Sequence, residues 1–292
     1  MHYFFGAEYL PVVLEALVWY CVHHRSGNDE KIFPLNEKFL CICKSGDDEQ
    51  ARLISPALIN TVQIGISCNT IEPDQPASFS RKFLKDKYGI TDYDSLLRRV
   101  NEFFYHFNDE SLNAPTRYPG DDSLSPKRFG NITHSTVFTN VIKIYYEEYG
   151  DIKAVRKALE DAAYNKENIV DFSYLRRFDV FVSAMELLDA KGLLPDGFDT
   201  LKALPVDAYY DGLTVTLVRM GVGAGYINET DAREMLSDVQ KMVHEQYRSW
   251  KEFAAGYMIE RAGFTDYTIE PLADVALSCL QNADSPWNRF EY

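Results

Sequence analysis

The stretch AYYDGLTVTLVRMGVGA, Ala208 to Ala224, constrains the fold more than any other part of the chain. At helical spacing Leu213, Leu217, Met220 and Ala224 line one side, while Val215, Val218 and Val222 line the opposite side. A helix apolar on both sides offers no face to water, so it has to run through the middle of a packed body with other elements around it. Asp211 falls angularly among the valines. A carboxyl group in that place must be paired or hydrogen-bonded, because an unpaired polar group in the interior is costly. Arg219 lies on the same helix, but eight residues separate the two. That is about 12 Å along a helix axis, so partners for both have to come from neighbouring helices.

One such helix opens at Ser249, where Ser249 and Glu252 form the S-x-x-E pattern of a capping box. Its inward stripe runs Trp250, Phe253, Ala254, Tyr257, Met258 and then Arg261. An arginine thus occupies a core position. Two readings of Asp211, Arg219, Tyr257 and Arg261 follow. In the first they make a buried polar network that fixes how helices dock, since guanidinium suits multidentate pairing in a low dielectric. In the second they floor a pocket, the arginines holding an anionic small molecule and Asp211 or a nearby Glu serving as acid or base.

The run Gly221-Val222-Gly223-Ala224-Gly225 lacks the preceding strand that a dinucleotide-binding loop needs. Here the glycines end a helix, with Gly221 as a close helix contact and Gly225 as the stop. Asn228 then caps a helix with Asp231 three residues on, running inward through Ala232, Met235, Leu236, Val239, Met242 and Val243 and leaving His244 on the polar side.

Upstream, Ser55-Pro56 reads as an N-cap followed by proline in the first helical position. The cluster of Pro73, Asp74 and Pro76 breaks the chain. Thr91, with Asp94 three residues on, caps a helix whose stripe is Tyr93, Leu96, Leu97, Val100, Phe104 and Phe107. Residues 108–134 lack periodicity and read as a long loop. Helices resume near 135–149, stopped by Gly150, and again after an Asp151 cap with Ile152, Val155, Leu159 and Ala162 inward. A third places Leu175, Phe178, Val182, Met185 and Leu188 inward and ends by Gly192. Strand-like character is confined to residues 39–44 and, more weakly, 52–54.

The expected architecture is mainly α: a single multi-helix domain over residues 51–292, with at most a small β element near the start, preceded by an extension over 1–50. The extension carries an apolar run from Pro11 to His24 that is too short to cross a bilayer and contains Glu15. No basic region or cleavage site frames it as a signal peptide. It reads as a buried helix.

Acidic residues outnumber basic ones 44 to 30, a formal charge of −14. That balance disfavours nonspecific nucleic-acid binding and anionic membrane surfaces, and is compatible with a basic protein partner. Five cysteines leave one over in any full pairing scheme, so a reducing cytoplasm is the expected compartment. The Cys41-Ile42-Cys43 pair has no second pair or histidine at zinc spacing and reads as two thiols. No histidine stands in a ligand motif, and neither a G-x-S-x-G elbow nor a P-loop is present. Neither metal nor cofactor is implied.

The blocks DAYYDGLTVTLVRMGVGAGYINETDAREML, YRSWKEFAAGYMIERAG and DSPWNRFEY, with Lys87-Tyr88-Gly89-Ile90-Thr91 upstream, resemble the bacterial domain of unknown function 1266 family. The resemblance extends from about Ser55 to Tyr292. Tyr210 precedes Asp211 where the family usually has Trp-Asp, and Glu260-Arg261 stands where it more often reads Gly-Arg. The resemblance implies no activity and no catalytic residue. The function expected from the whole is that of a cytoplasmic bacterial accessory or immunity-type factor acting by protein binding. The alternative is an enzyme acting on an anionic small molecule through the Asp211, Arg219, Tyr257 and Arg261 cluster.

Overall fold

The computed structural model describes residues 48–106, 131–165, 172–205, 207–263, 269–290 and 292. The apolar N-terminal helix, the strand expected over 39–44 and most of the expected long loop lie outside them. In chain order the helices are α1 (Asp48–Leu53), α2 (Leu58–Ile64), α3 (Ala77–Tyr88), α4 (Tyr93–His106), α5 (Asn131–Tyr149), α6 (Ile152–Tyr164), α7 (Phe172–Ala190), α8 (Thr200–Ala203), α9 (Ala208–Ala224), α10 (Glu229–Gln246), α11 (Trp250–Ala262), α12 (Ile269–Gln281) and α13 (Pro286–Arg289). Single 3₁₀ turns cover Ser55–Ala57 and Gly197–Asp199. The mainly α expectation holds, and no strand occurs among the described residues.

Helix α9 is the axis of the fold, buried along nearly its whole length. α2, α3, α4, α10, α11 and the 55–57 turn all pack on it. Close approach depends on missing side chains. A Cβ at Gly212 would sit 2.8 Å from the Pro56 carbonyl oxygen, and one at Gly221 would sit 2.3 Å from Leu96 Cδ2. α9 ends at Gly225 in the left-handed conformation (φ 75°), where glycine escapes the steric cost other residues meet. The Arg81 side chain adds a cap from α3, its Nε donating to the Ala224 carbonyl at 2.9 Å.

Several helix starts form as their sequences dictate. Asp151 accepts from the Ala154 amide, Asn228 from the Asp231 amide and Ser249 from the Glu252 amide. Others differ. Residues 52 and 53 end helix α1 and are not strand. Asp48 and Glu49 at its start and Arg52 in its last turn complement the helix dipole, and a three-residue stretch is too short to establish a strand's alternation. Ser55 is not an N-cap, since its hydroxyl donates backward to the Ala51 carbonyl at 2.8 Å. α4 is capped by Asp92, one residue after Thr91. The Asp92 carboxylate accepts from the Ser95 amide while Ser95 Oγ accepts from the Asp92 amide, a reciprocal box. On α4 Leu96, Val100 and Phe103 are buried and Tyr93 is exposed; on α7 Phe181 takes the buried place expected of Val182.

The C-terminus ties back to the N-terminal side of the body. Trp287 stacks on Trp250 (centroids 5.4 Å, planes 8° apart) and donates its indole N–H to the Ser55 carbonyl at 2.9 Å. Tyr292 donates to the Val243 carbonyl and packs 4.4 Å from His244. His244, expected on a polar face, is therefore half-buried between Tyr292 and Trp250, because the returning C-terminal segment covers it. Burial, and then the Arg52 charge, hold its imidazole below the usual range.

Candidate functional site

The four polar residues singled out in the sequence lie on α9 and α11, Tyr257 and Arg261 one turn apart and close enough for the Arg261 charge to act on the Tyr257 phenol. Arg219 is fully buried. Its guanidinium donates to Thr61 Oγ1 at 2.7 Å, the Thr70 carbonyl at 2.9 Å, the Ser67 carbonyl at 2.5 Å and the Ile71 carbonyl at 3.3 Å. Every one of these acceptors is neutral, and all belong to the end of α2 or the loop after it. Burial pushes the guanidinium down to about 9, with Asp74 opposing the shift, so it remains charged at neutral pH. Arg219 is the peg on which the 65–71 loop hangs.

Asp211 is 4% exposed, and its Oδ2 has no hydrogen-bond partner. Burial first, and then the charge of Asp207 one turn earlier, raise its carboxyl well above the usual range. Asp207, at the N-cap position of α9, is half-buried and pushed up to about 6 by desolvation, with the Lys143 charge pulling the other way. Lys143, from α5, donates to the Leu204 carbonyl at 2.8 Å, and burial lowers its own affinity for a proton.

Around this end of α9, Tyr247 donates to the Pro205 carbonyl at 3.3 Å and the Tyr209 amide donates to Glu260 Oε2 at 3.2 Å. Tyr257 donates to Asn60 Oδ1 at 2.9 Å. Arg261 is half-exposed, its guanidinium 5.2 Å above the Tyr209 ring. Glu260, Asp207 and Lys143 escaped the sequence reading. The one signal for Glu260 was its place in the Glu-Arg pair where glycine is more usual. It is fully buried.

One concavity lies at the C-terminal aromatic cluster, about 470 Å³ between Trp250, Lys251, Leu277, Leu280, Trp287 and Tyr292. Much of its hydrogen-bonding capacity is already committed. Ser249 Oγ caps α11, Tyr292 serves the Val243 carbonyl, and Asn288 Nδ2 donates to the carbonyls of Cys279, Leu280 and Asn282. Among the described residues no group of histidine, cysteine or acidic side chains could hold a metal ion. Likewise, no described helix is long and apolar enough to cross a membrane. Cys279 is a free, buried thiol, whereas Cys68 is disulfide-bonded to a partner outside the described residues.

Fold and site together define a mainly α protein, all-α over the described residues, organised on a buried central helix with titratable groups gathered at that helix's N-terminal end. The chain belongs to the family described as protein of unknown function (DUF1266), whose model matches residues 83–292. No curated protein and no solved structure matches it.

Proposed function

We propose that this protein acts by binding a basic protein partner, as an accessory or immunity-type factor in a bacterial cytoplasm. The observation that carries the reading is the outer face of α10, where Glu234, Asp238 and Glu245 are exposed alongside a single exposed base, Lys241. Arg233 on the same helix is half-buried and engaged by Glu229 and Glu49. In a chain of formal charge −14, such a face steers a basic surface toward it and repels polyanions. The buried thiol of Cys279 fits a reducing compartment. The bond at Cys68 bears against one, since such bonds are kept open there.

The test is affinity capture from native cell extract, with mass spectrometry for proteins and small molecules, using the native chain and a Glu234→Lys/Asp238→Lys variant. A basic protein retained by the native chain and lost from the variant supports the reading. A small anion co-purifying with both, and no protein, overturns it. That outcome would favour an enzyme acting on an anionic molecule. The support for this second reading is the half-buried Asp207, titrating near neutrality beside Lys143, since perturbed groups of this kind concentrate at catalytic sites.

A further inference from the structure

We propose that the connection into α9 is a proton-operated latch, closed onto α5, α10 and α11 while the Asp207 and Asp211 carboxyls share a proton and loosened when they lose it. It rests on neither reading above. Hydrogen bonds to three different helices hold this stretch: Lys143 of α5 donates to the Leu204 carbonyl at 2.8 Å, Tyr247 at the C-cap of α10 donates to the Pro205 carbonyl at 3.3 Å, and the Tyr209 amide donates to Glu260 Oε2 of α11 at 3.2 Å. The two carboxyls stand one turn apart within that frame. Asp207 occupies the N-cap position but takes no amide of the first turn, so it lacks the bond that ordinarily keeps such a carboxylate ionised. Asp211 is 4% exposed and its Oδ2 has no hydrogen-bond partner.

The charges facing the pair do not neutralise it. From α5 comes Lys143, which already serves the Leu204 carbonyl and is drawn also by Glu147. α11 brings a third carboxyl, the fully buried Glu260, while its Arg261 lies over the Tyr209 ring. From the end of α10 and from the C-terminus come the phenols of Tyr247 and Tyr292, which feel the charge of these carboxyls and offer no cation in return. Burial, and for Asp211 then the charge of Asp207, raise both carboxyls, Asp207 up to about 6 against the pull of Lys143. Two carboxylates a turn apart with one shared ammonium repel each other, and a proton kept by either removes that repulsion. A carboxyl that binds its proton more tightly in the closed form stabilises that form fully below about pH 4, and the stabilisation is lost as pH rises through the folded value. The latch is therefore tight in acid and loose toward neutrality, the reverse of the acid loosening that paired carboxylates give.

The test is hydrogen–deuterium exchange of the full chain between about pH 5 and 7, with protection corrected for the intrinsic pH dependence of amide exchange. Tyr210 and Asp211 donate their amides to the Asp207 carbonyl at 3.0 and 3.1 Å, so peptides covering the start of α9 report the latch and peptides from α6 serve as reference. The expected result is that protection at the start of α9 falls at least about tenfold over this range while α6 holds. Asp207→Asn/Asp211→Asn removes the fall, and Lys143→Met moves it to higher pH, because the ammonium favours the ionised carboxyl. If the double variant does not fold, the native chain still decides, by carboxyl-carbon NMR with labelled aspartate: one aspartate titrating at about 6 is expected. Every aspartate titrating below about pH 5, an equal fall at α6, protection that does not change with pH, or a fall that is the same in native chain and variants would overturn the proposal.

Discussion

Replacing Arg219 by methionine tests whether the 65–71 loop hangs on one guanidinium. Methionine keeps an unbranched side chain but removes every donor. Thr61 and Ile71 are buried, and each acceptor left unsatisfied there costs about 1–3 kcal/mol. The carbonyls of Ser67 and Thr70 belong to half-exposed residues and can turn to water. The gross loss is about 2–6 kcal/mol. Removing a buried cation returns part of its desolvation penalty, which places the net in the lower half, about 2–4 kcal/mol. For a domain of this size each kcal/mol moves the midpoint by about 2–4 °C, so thermal unfolding followed by circular dichroism should show Tm lower by about 4–16 °C. Limited proteolysis should cut first between α2 and α3. Arg219→Lys should fall between the two, because one ammonium cannot reach acceptors spread across the guanidinium fork. A midpoint within about 1 °C of the native value would refute the claim that these contacts hold the loop.

Three further outcomes are expected. Asp211→Asn should remove a pH dependence: the native carboxyl, raised well above its ordinary value, holds its proton to higher pH in the fold than in the unfolded chain. Its contribution is therefore full below about pH 4 and is lost as pH rises toward the folded pKa. The native Tm should fall relative to the variant as pH rises above about 4, with Asp207 adding a loss up to about 6 in both proteins; parallel curves would contradict the raised Asp211 carboxyl. Gly212→Ala should destabilise by about 1–3 kcal/mol despite the better helix propensity of alanine, since the new methyl meets the Pro56 backbone oxygen, and a rise in Tm would contradict that packing. Trp287→Ala should cost about 3–5 kcal/mol in chemical denaturation through loss of the Trp250 stack and the bond to Ser55; a loss under about 1 kcal/mol would mean that the C-terminal tie is loose.

The central place of α9 was legible because burial on both sides is written into one short stretch, in the spacing of Leu213, Leu217 and Met220 against Val215, Val218 and Val222. The caps at Asp151, Asn228 and Ser249 were legible for the same reason: a side chain and the amide it serves lie three residues apart. Arg219 was recognisable as a core arginine, but its acceptors stand 148 to 158 positions away, and three of them are backbone carbonyls that leave no mark on residue identity. Asp211 was recognisable as a buried acid, while the rise in its proton affinity depends on how completely the surrounding helices bury it. His244 looked like a surface residue until the C-terminal segment returned across it. Sequence determined what is local and periodic; which distant groups meet, and therefore which charges are paired, neutral or exposed, was decided by tertiary packing, where chain separation ceases to measure distance.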